Sequence, residues 1–222
     1  MEWQFNRDLA RRIQEGLCAL GYDARLLVPE DNDLPLKARL KRARHMVEEH
    51  KGHGGIAPNR VLISVHANAA PSNSPKGGET APPQPSPKGR GYSSAEASTG
   101  QEVLPFGEDL GGASGWECFA NGSSWNSRHL GRLLLKHAKE KLPKQFPIRG
   151  AYGNLRREGV RPEAKVSKFF ITRNAPCFAV LTENLFMDNR KDCNYLLSDT
   201  GRDTLARIHI DAIDEFFAHD VG

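Results

Sequence analysis

Arg60-Val61-Leu62-Ile63-Ser64-Val65-His66-Ala67-Asn68-Ala69 is the stretch that decides how this chain of 222 residues folds. The β-branched run over residues 60–66 is nearly continuous and reads as a strand inside a sheet covered on both faces. A strand with one face in water would instead alternate apolar and polar residues. The run ends on His66, and in an open α/β sheet the strand ends line the ligand crevice.

Working outward, residues 2–20 place Phe5, Leu9, Ala10, Ile13, Leu17 and Leu20 on one face of a predicted helix, which Gly21 ends. Residues 24–28 read as a short strand stopped by Pro29, and Asp31-Asn32-Asp33 as a helix cap. A second helix is expected over about 35–50, with Arg and Lys on its outer face, followed by a loop over 52–59. Beyond the central strand, residues from 71 to about 114 are crowded with Pro, Gly and Ser, and Ser74-Pro75-Lys76-Gly77-Gly78 nearly recurs as Ser86-Pro87-Lys88-Gly89-Arg90. Such a composition buries too little surface to offset chain entropy, so the segment reads as a disordered insertion. Strands are expected at 115–119, 168–172 and 178–184, and helices at about 127–142, 192–197 and 202–217. Strands alternating with helices predict a single α/β domain over residues 1–222, a mostly parallel or mixed sheet with helices on both faces.

The bulk numbers exclude little. A formal net charge of +4 marks a mildly basic surface that suits an anionic polymer without requiring one. A nucleic-acid role would rest on the basic second helix alone, with no aromatic-basic stripe behind it. The four cysteines form no C-x-x-C pair, which argues against a thiolate zinc site, and Cys118 and Cys177 read as small core residues. No apolar stretch is long enough to span a membrane, and residues 1–7 lack the apolar run of a signal peptide.

Two residues stand out by position. His66 ends one strand and Glu183 ends another, and a carboxylate after Phe178-Ala179-Val180-Leu181 is costly to bury without a partner. Glu2 opens the first helix, where by itself it reads as a carboxylate favoured by the helix dipole.

Five segments together resemble the N-acetylmuramoyl-L-alanine amidases of the amidase_3 family. Glu2-Trp3-Gln4-Phe5-Asn6 is similar to the segment that opens on a zinc-ligand glutamate with an asparagine four residues on. Ser64-Val65-His66-Ala67-Asn68-Ala69 matches S-[IV]-H-A-N-A, whose histidine binds zinc. Gly115-Trp116-Glu117-Cys118-Phe119 is similar to the G-x-E-x-[YF] strand. Residues 181–189 resemble L-x-E-x-x-F-x-x-N, whose glutamate is catalytic, and Leu36-Lys37-Ala38-Arg39 fits L-x-x-R. The resemblance implies a phosphorylase/hydrolase-like α/β fold, Zn2+ as cofactor, Glu2 and His66 as metal ligands and Glu183 as the catalytic base and acid, with Asn68, Glu117 and Arg39 in support. It implies hydrolysis of the amide between N-acetylmuramic acid and L-alanine in peptidoglycan, at the cell envelope or outside the cell.

The family has a further zinc histidine in a G-H-G-G-like turn after its first strand, ahead of the segment that Glu2 opens. The expectation is therefore a domain with that strand missing and a weakened metal site. Gly52-His53-Gly54-Gly55 spells the motif, but after the second helix, and reads as a glycine loop. The alternative is a metal-poor, inactive remnant that at most binds peptidoglycan. His45, His50, His129, His137, His209 and His219 read as surface or packing residues.

Overall fold

The computed structural model describes residues 2–49, 60–69, 112–166 and 168–219. In chain order the elements are α1 (Glu2–Ala19), α2 (Leu36–Glu49), β1 (Val61–Asn68), β2 (Trp116–Ala120), α3 (Trp125–Lys141), β3 (Ile148–Gly150), β4 (Gly153–Asn154), β5 (Lys165–Val166), α4 (Phe170–Asn174), β6 (Phe178–Phe186), α5 (Arg190–Leu197) and α6 (Asp199–His219). The strands form one mixed sheet in the order β1-β6-β2-β3-β4, with β5 paired to β2. β1 and β6 run parallel, and β2 runs antiparallel to β6.

Helices cover both faces. On one face α1, α3 and α6 bury Leu9, Ile13, Leu134, Leu135, Leu205, Ile208 and Phe216 against Trp116, Cys118 and Val180 of the sheet. On the other, α2 and α4 pack a smaller cluster of Leu40, Ile171, Phe119 and Leu181, with Leu62 and Phe169 beside it. The two helices pack closely at Gly16 of α1, where a Cβ would meet the Ile210 side chain of α6. Gly21 takes the left-handed φ of +91° that ends α1 after its last turn.

Three expectations change. The central strand pairs with β6 alone among the described residues, so it lies at an edge, and Val61 to His66 are half-buried. Its continuous apolar run reflects helices over both faces (α1 on one, α4 on the other), not partners on both sides. Residues 24–28 form no strand. Their backbone carbonyls bond to side chains instead: Gln14 Nε2 donates to Ala24 O at 3.1 Å and Arg42 Nη1 to Leu27 O at 2.8 Å. The expected strand at 168–172 is largely the helix α4. Thr172 Oγ1 donates to Phe169 O and Asn174 Nδ2 to Phe170 O, closing the turn, while Ile171 faces the smaller core cluster.

The expected cap at Asp31-Asn32-Asp33 is also used differently, since the Asp33 carboxylate pairs with Arg39. The expected insertion lies outside the described residues except for Gly112-Ala113-Ser114, and Ser114 is bonded into the fold by Asp192. The Gly52-His53-Gly54-Gly55 loop lies outside them altogether. No helix among the described residues is long and apolar enough to cross a membrane.

Candidate active site

Strand alternation decides which side chains meet. Leu62, Ser64 and His66 of β1 share the face that carries Leu181 and Glu183 of β6 and Glu117 and Phe119 of β2. The register then aligns them across the sheet. His66 is opposite Glu183, Glu183 is opposite Glu117, and Glu117 is opposite Arg149 of β3. One transverse row of four ionisable side chains thus crosses four strands at the carboxyl ends of the parallel pair β1 and β6, where α/β sheets bind ligands.

At the β1 end, His66 Nδ1 lies 3.6 Å from Glu2 Oε1, which the start of α1 brings to the strand edge. Asn6, one turn along α1, donates from Nδ2 to the same Glu2 oxygen at 3.2 Å. The i, i+4 spacing of a helix is what lets an asparagine orient that carboxylate. The other ring nitrogen, His66 Nε2, is 3.0 Å from Ser64 Oγ. When Ser64 Oγ donates to Nε2, the ring proton sits on Nδ1 and faces the Glu2 carboxylate. The His66 interaction holds the Glu2 carboxyl below the usual carboxylate range, against the opposing effect of its partial burial.

Glu183 sits in the middle of the row and is buried, 7% exposed. Burial pushes its carboxyl up to about 7; His66 opposes this, and the Glu2 and Glu117 carboxylates add to it. Its placement is fixed by the end of β6. Leu185, fully buried, takes a left-handed φ of 65°, a conformation that costs a non-glycine residue on the order of 1–3 kcal/mol unless its surroundings hold it. They do: Phe186 N donates to Asp192 Oδ2 at 3.0 Å and Met187 N to Asn68 O at 2.8 Å.

Glu117 is also buried, and it is paired with two cations. Lys165 Nζ donates to its Oε1 at 3.0 Å and Arg149 Nη1 lies 3.6 Å from the same oxygen. Asn68, buried at the end of β1, uses Oδ1 to accept from Ala69 N at 2.9 Å and its backbone carbonyl to hold Met187. Arg39 stands apart from the row. Its side chain bonds to Leu34 O and Asp33 at the start of α2, a local structural role.

Sequence reading missed Arg149, Lys165, Asn184 and Asp192. Asn184 ties three strands together, accepting from Trp116 Nε1 at 2.7 Å and donating to His66 O at 2.9 Å. Asp192, wholly buried, accepts from Ser114 Oγ, Gly115 N and Phe186 N. The buried aspartate three residues after an Asn helix cap was the only available signal; Arg149 and Lys165 become visible only through register.

The Amidase_3 family, described as N-acetylmuramoyl-L-alanine amidase, matches residues 1–215. This chain belongs to that family. The fold agrees with solved amidase structures at low sequence identity. The CwlD amidase from Clostridioides difficile, in complex with the GerS lipoprotein, is 14% identical with a TM-score of 0.62, covering 99% of this chain and 87% of that one. The catalytic domain of CwlV from Bacillus (Paenibacillus) polymyxa var. colistinus is 19% identical with a TM-score of 0.62, over 98% and 86%. The AmiC2 amidase of Nostoc punctiforme is 16% identical with a TM-score of 0.63, over 98% and 85%. No curated protein matches this chain in sequence.

Amidase_3 membership implies zinc, and the residues fit it in kind. Imidazole nitrogen and carboxylate oxygen are both zinc donors, and the 3.6 Å between them is close to the roughly 3.3 Å separating two ligands of a tetrahedral zinc. Asn6 and Ser64 hold the two donors from behind, as outer-shell partners of metal ligands do. Among the described residues no third His, Cys, Asp or Glu joins them in a metal-holding group.

Proposed function

We propose that this amidase-family chain hydrolyses the amide between N-acetylmuramic acid and L-alanine in peptidoglycan, with zinc held by Glu2 and His66. The observation that carries the reading is a buried Glu183 carboxyl in register directly beside His66. Burial raises its affinity for a proton, so it can take one and return it within one turnover. Glu183 removes the proton from the attacking water and delivers it to the nitrogen of the leaving amine. His66 and Glu2 position the metal at the β1 end of the row, and Asn68, Asn184 and Asp192 hold the strand ends that carry both. Zinc, when bound, polarises the amide carbonyl and acidifies the attacking water.

The domain assignment goes with this reading: one catalytic unit over residues 1–222, interrupted by an insertion at about 71–114. A metal-poor remnant that binds peptidoglycan without cutting it draws on the two-donor set, and it predicts no stoichiometric zinc. Mass spectrometry of purified peptidoglycan treated with the zinc-supplied protein tests the main reading. New free L-alanine amino termini are expected; new reducing sugar ends or cleaved peptide cross-links in their place would overturn it.

A further inference from the structure

The row does not end at Glu183. Beyond it lies a charge imbalance: the buried Glu117 carboxylate, its side chain 5% exposed, is shared by Arg149 and Lys165, whose side chains are 37% and 35% exposed. Among the described residues Glu117 is the only carboxylate that either cation pairs with, so the group carries a net positive charge. Structural pairing alone would need one cation.

Both cations are also held in place by rings. The Arg149 guanidinium lies 5.5 Å from the centroid of Phe186, and Lys165 Nζ lies 5.7 Å from that of Phe119. Glu117 and the two rings therefore fix two long side chains that would otherwise lose freedom on binding an anion. Arg149 is two strands from Glu183 in the same row. At about 4.8 Å per strand, the backbones stand roughly 10 Å apart, and the arginine side chain spans part of that distance.

We propose that Arg149 and Lys165 form a subsite for a carboxylate that the amide substrate carries within about one residue of the scissile bond. Glu117 is then a positioning residue, buried to hold both cations toward the row. A guanidinium suits a planar carboxylate through paired N–H donors, and the adjacent ammonium adds charge. This rests on the amidase reading for the identity of the bond cut, but the binding site stands on Arg149, Lys165 and Glu117.

The test uses two N-acetylmuramoyl-L-alanyl peptides that differ only at the residue after L-alanine, one with a free α-carboxylate and one with the carboxamide. With zinc supplied, kcat/KM should favour the carboxylate by about tenfold or more, chiefly through KM. Arg149→Met and Lys165→Met should each pull that ratio toward one, and Arg149→Lys should retain much of it. A ratio near one in the unmodified protein, or a ratio unchanged in folded Arg149→Met and Lys165→Met, would overturn the subsite and leave a structural ion triad. Calorimetric titration of Glu183→Gln protein with the same two peptides reads binding without turnover. Tighter binding of the carboxylate with no cleavage by the unmodified protein would sustain the subsite and sink the amidase reading; equal binding would sink the subsite alone.

Discussion

His66 of β1 stands directly opposite Glu183 of β6 in a parallel register, so the imidazole assigned to zinc and the carboxyl assigned to proton transfer are neighbours across one strand gap. Neither residue is near the other in sequence. The pairing Val61↔Phe178, Leu62↔Ala179 and onward through His66↔Glu183 sets the alignment. A slip of one residue would turn Glu183 to the other face of the sheet, toward α6. The activity proposed here therefore depends on strand register as much as on residue identity.

Glu183 imposes a stability cost that the metal-free protein shows. Its carboxyl titrates at about 7 in the folded chain against 4.5 in the reference state, so between those values the folded state holds the extra proton. Stability from this group is present below about 4.5 and is lost as pH rises toward 7. In chelator at pH 8, Glu183→Gln should raise stability by about 1–3 kcal/mol, read from urea melts, with the gain vanishing near pH 4. An unchanged or lowered midpoint at pH 8 would contradict the burial account.

The metal end makes a separate prediction. Glu2→Gln and His66→Ala should each abolish measurable zinc binding, because each removes one of the two donors found among the described residues. Ser64→Ala removes only the partner of His66 Nε2 and should weaken zinc binding about tenfold. Competition with a fluorescent zinc indicator measures all three. Unaltered affinity in Ser64→Ala would show that Ser64 does not orient the ring.

His209 works in the opposite pH direction to Glu183. It is fully buried on α6, within hydrogen-bond distance of Leu205 O and Thr182 Oγ1, and burial pushes its imidazole down to about 4. The unfolded chain takes up a proton near 6.5 that the folded chain refuses, so this contribution is lost as pH falls below that value. The stability advantage of the unmodified protein over His209→Gln should shrink by about 2 kcal/mol between pH 7.5 and pH 5. Parallel urea melts at both pH values check it; a constant difference would mean that His209 is not held neutral.

Asp192 should be among the costliest polar residues to remove. It accepts from Gly115 N at 3.0 Å, Phe186 N at 3.0 Å and Ser114 Oγ at 2.6 Å, joining the start of β2 to the strained end of β6. Asp192→Ala leaves buried donors unpaired at about 1–3 kcal/mol each, so a loss of about 3 kcal/mol or more is expected. Asp192→Asn, which keeps one acceptor oxygen, should lose less. Thermal unfolding distinguishes the two, and equal losses would argue against the hydrogen-bond account.

The fold was legible where one local pattern had one interpretation. Phe5, Leu9, Ile13 and Leu17 of α1 and Ala179, Val180 and Leu181 of β6 are buried as their patterns say, whereas Leu20 is exposed and the run of β1 is only half-buried. Residues 24–28 and 168–172 misled because short apolar runs take their form from tertiary partners: Gln14 and Arg42 replaced a neighbouring strand, and Thr172 and Asn174 closed a helical turn. Edge or centre is equally invisible in β1 itself. In the site, Glu2, His66 and Glu183 could be named from strand ends and family motifs, and the structure brings them together. Arg39 could be named too, yet its partners are local to α2. Arg149 and Lys165 lie on short strands with no motif, and only pairing through β2 places them beside Glu117.

The most direct test of the account compares the zinc-loaded protein with Glu183→Gln on an N-acetylmuramoyl-L-alanyl peptide, with metal content measured on the same samples. The account predicts a rate lower by about 10²–10⁴-fold in the variant at equal zinc content, the range expected for loss of a general base and acid. Turnover within a few-fold of the unmodified protein at equal zinc content would contradict it.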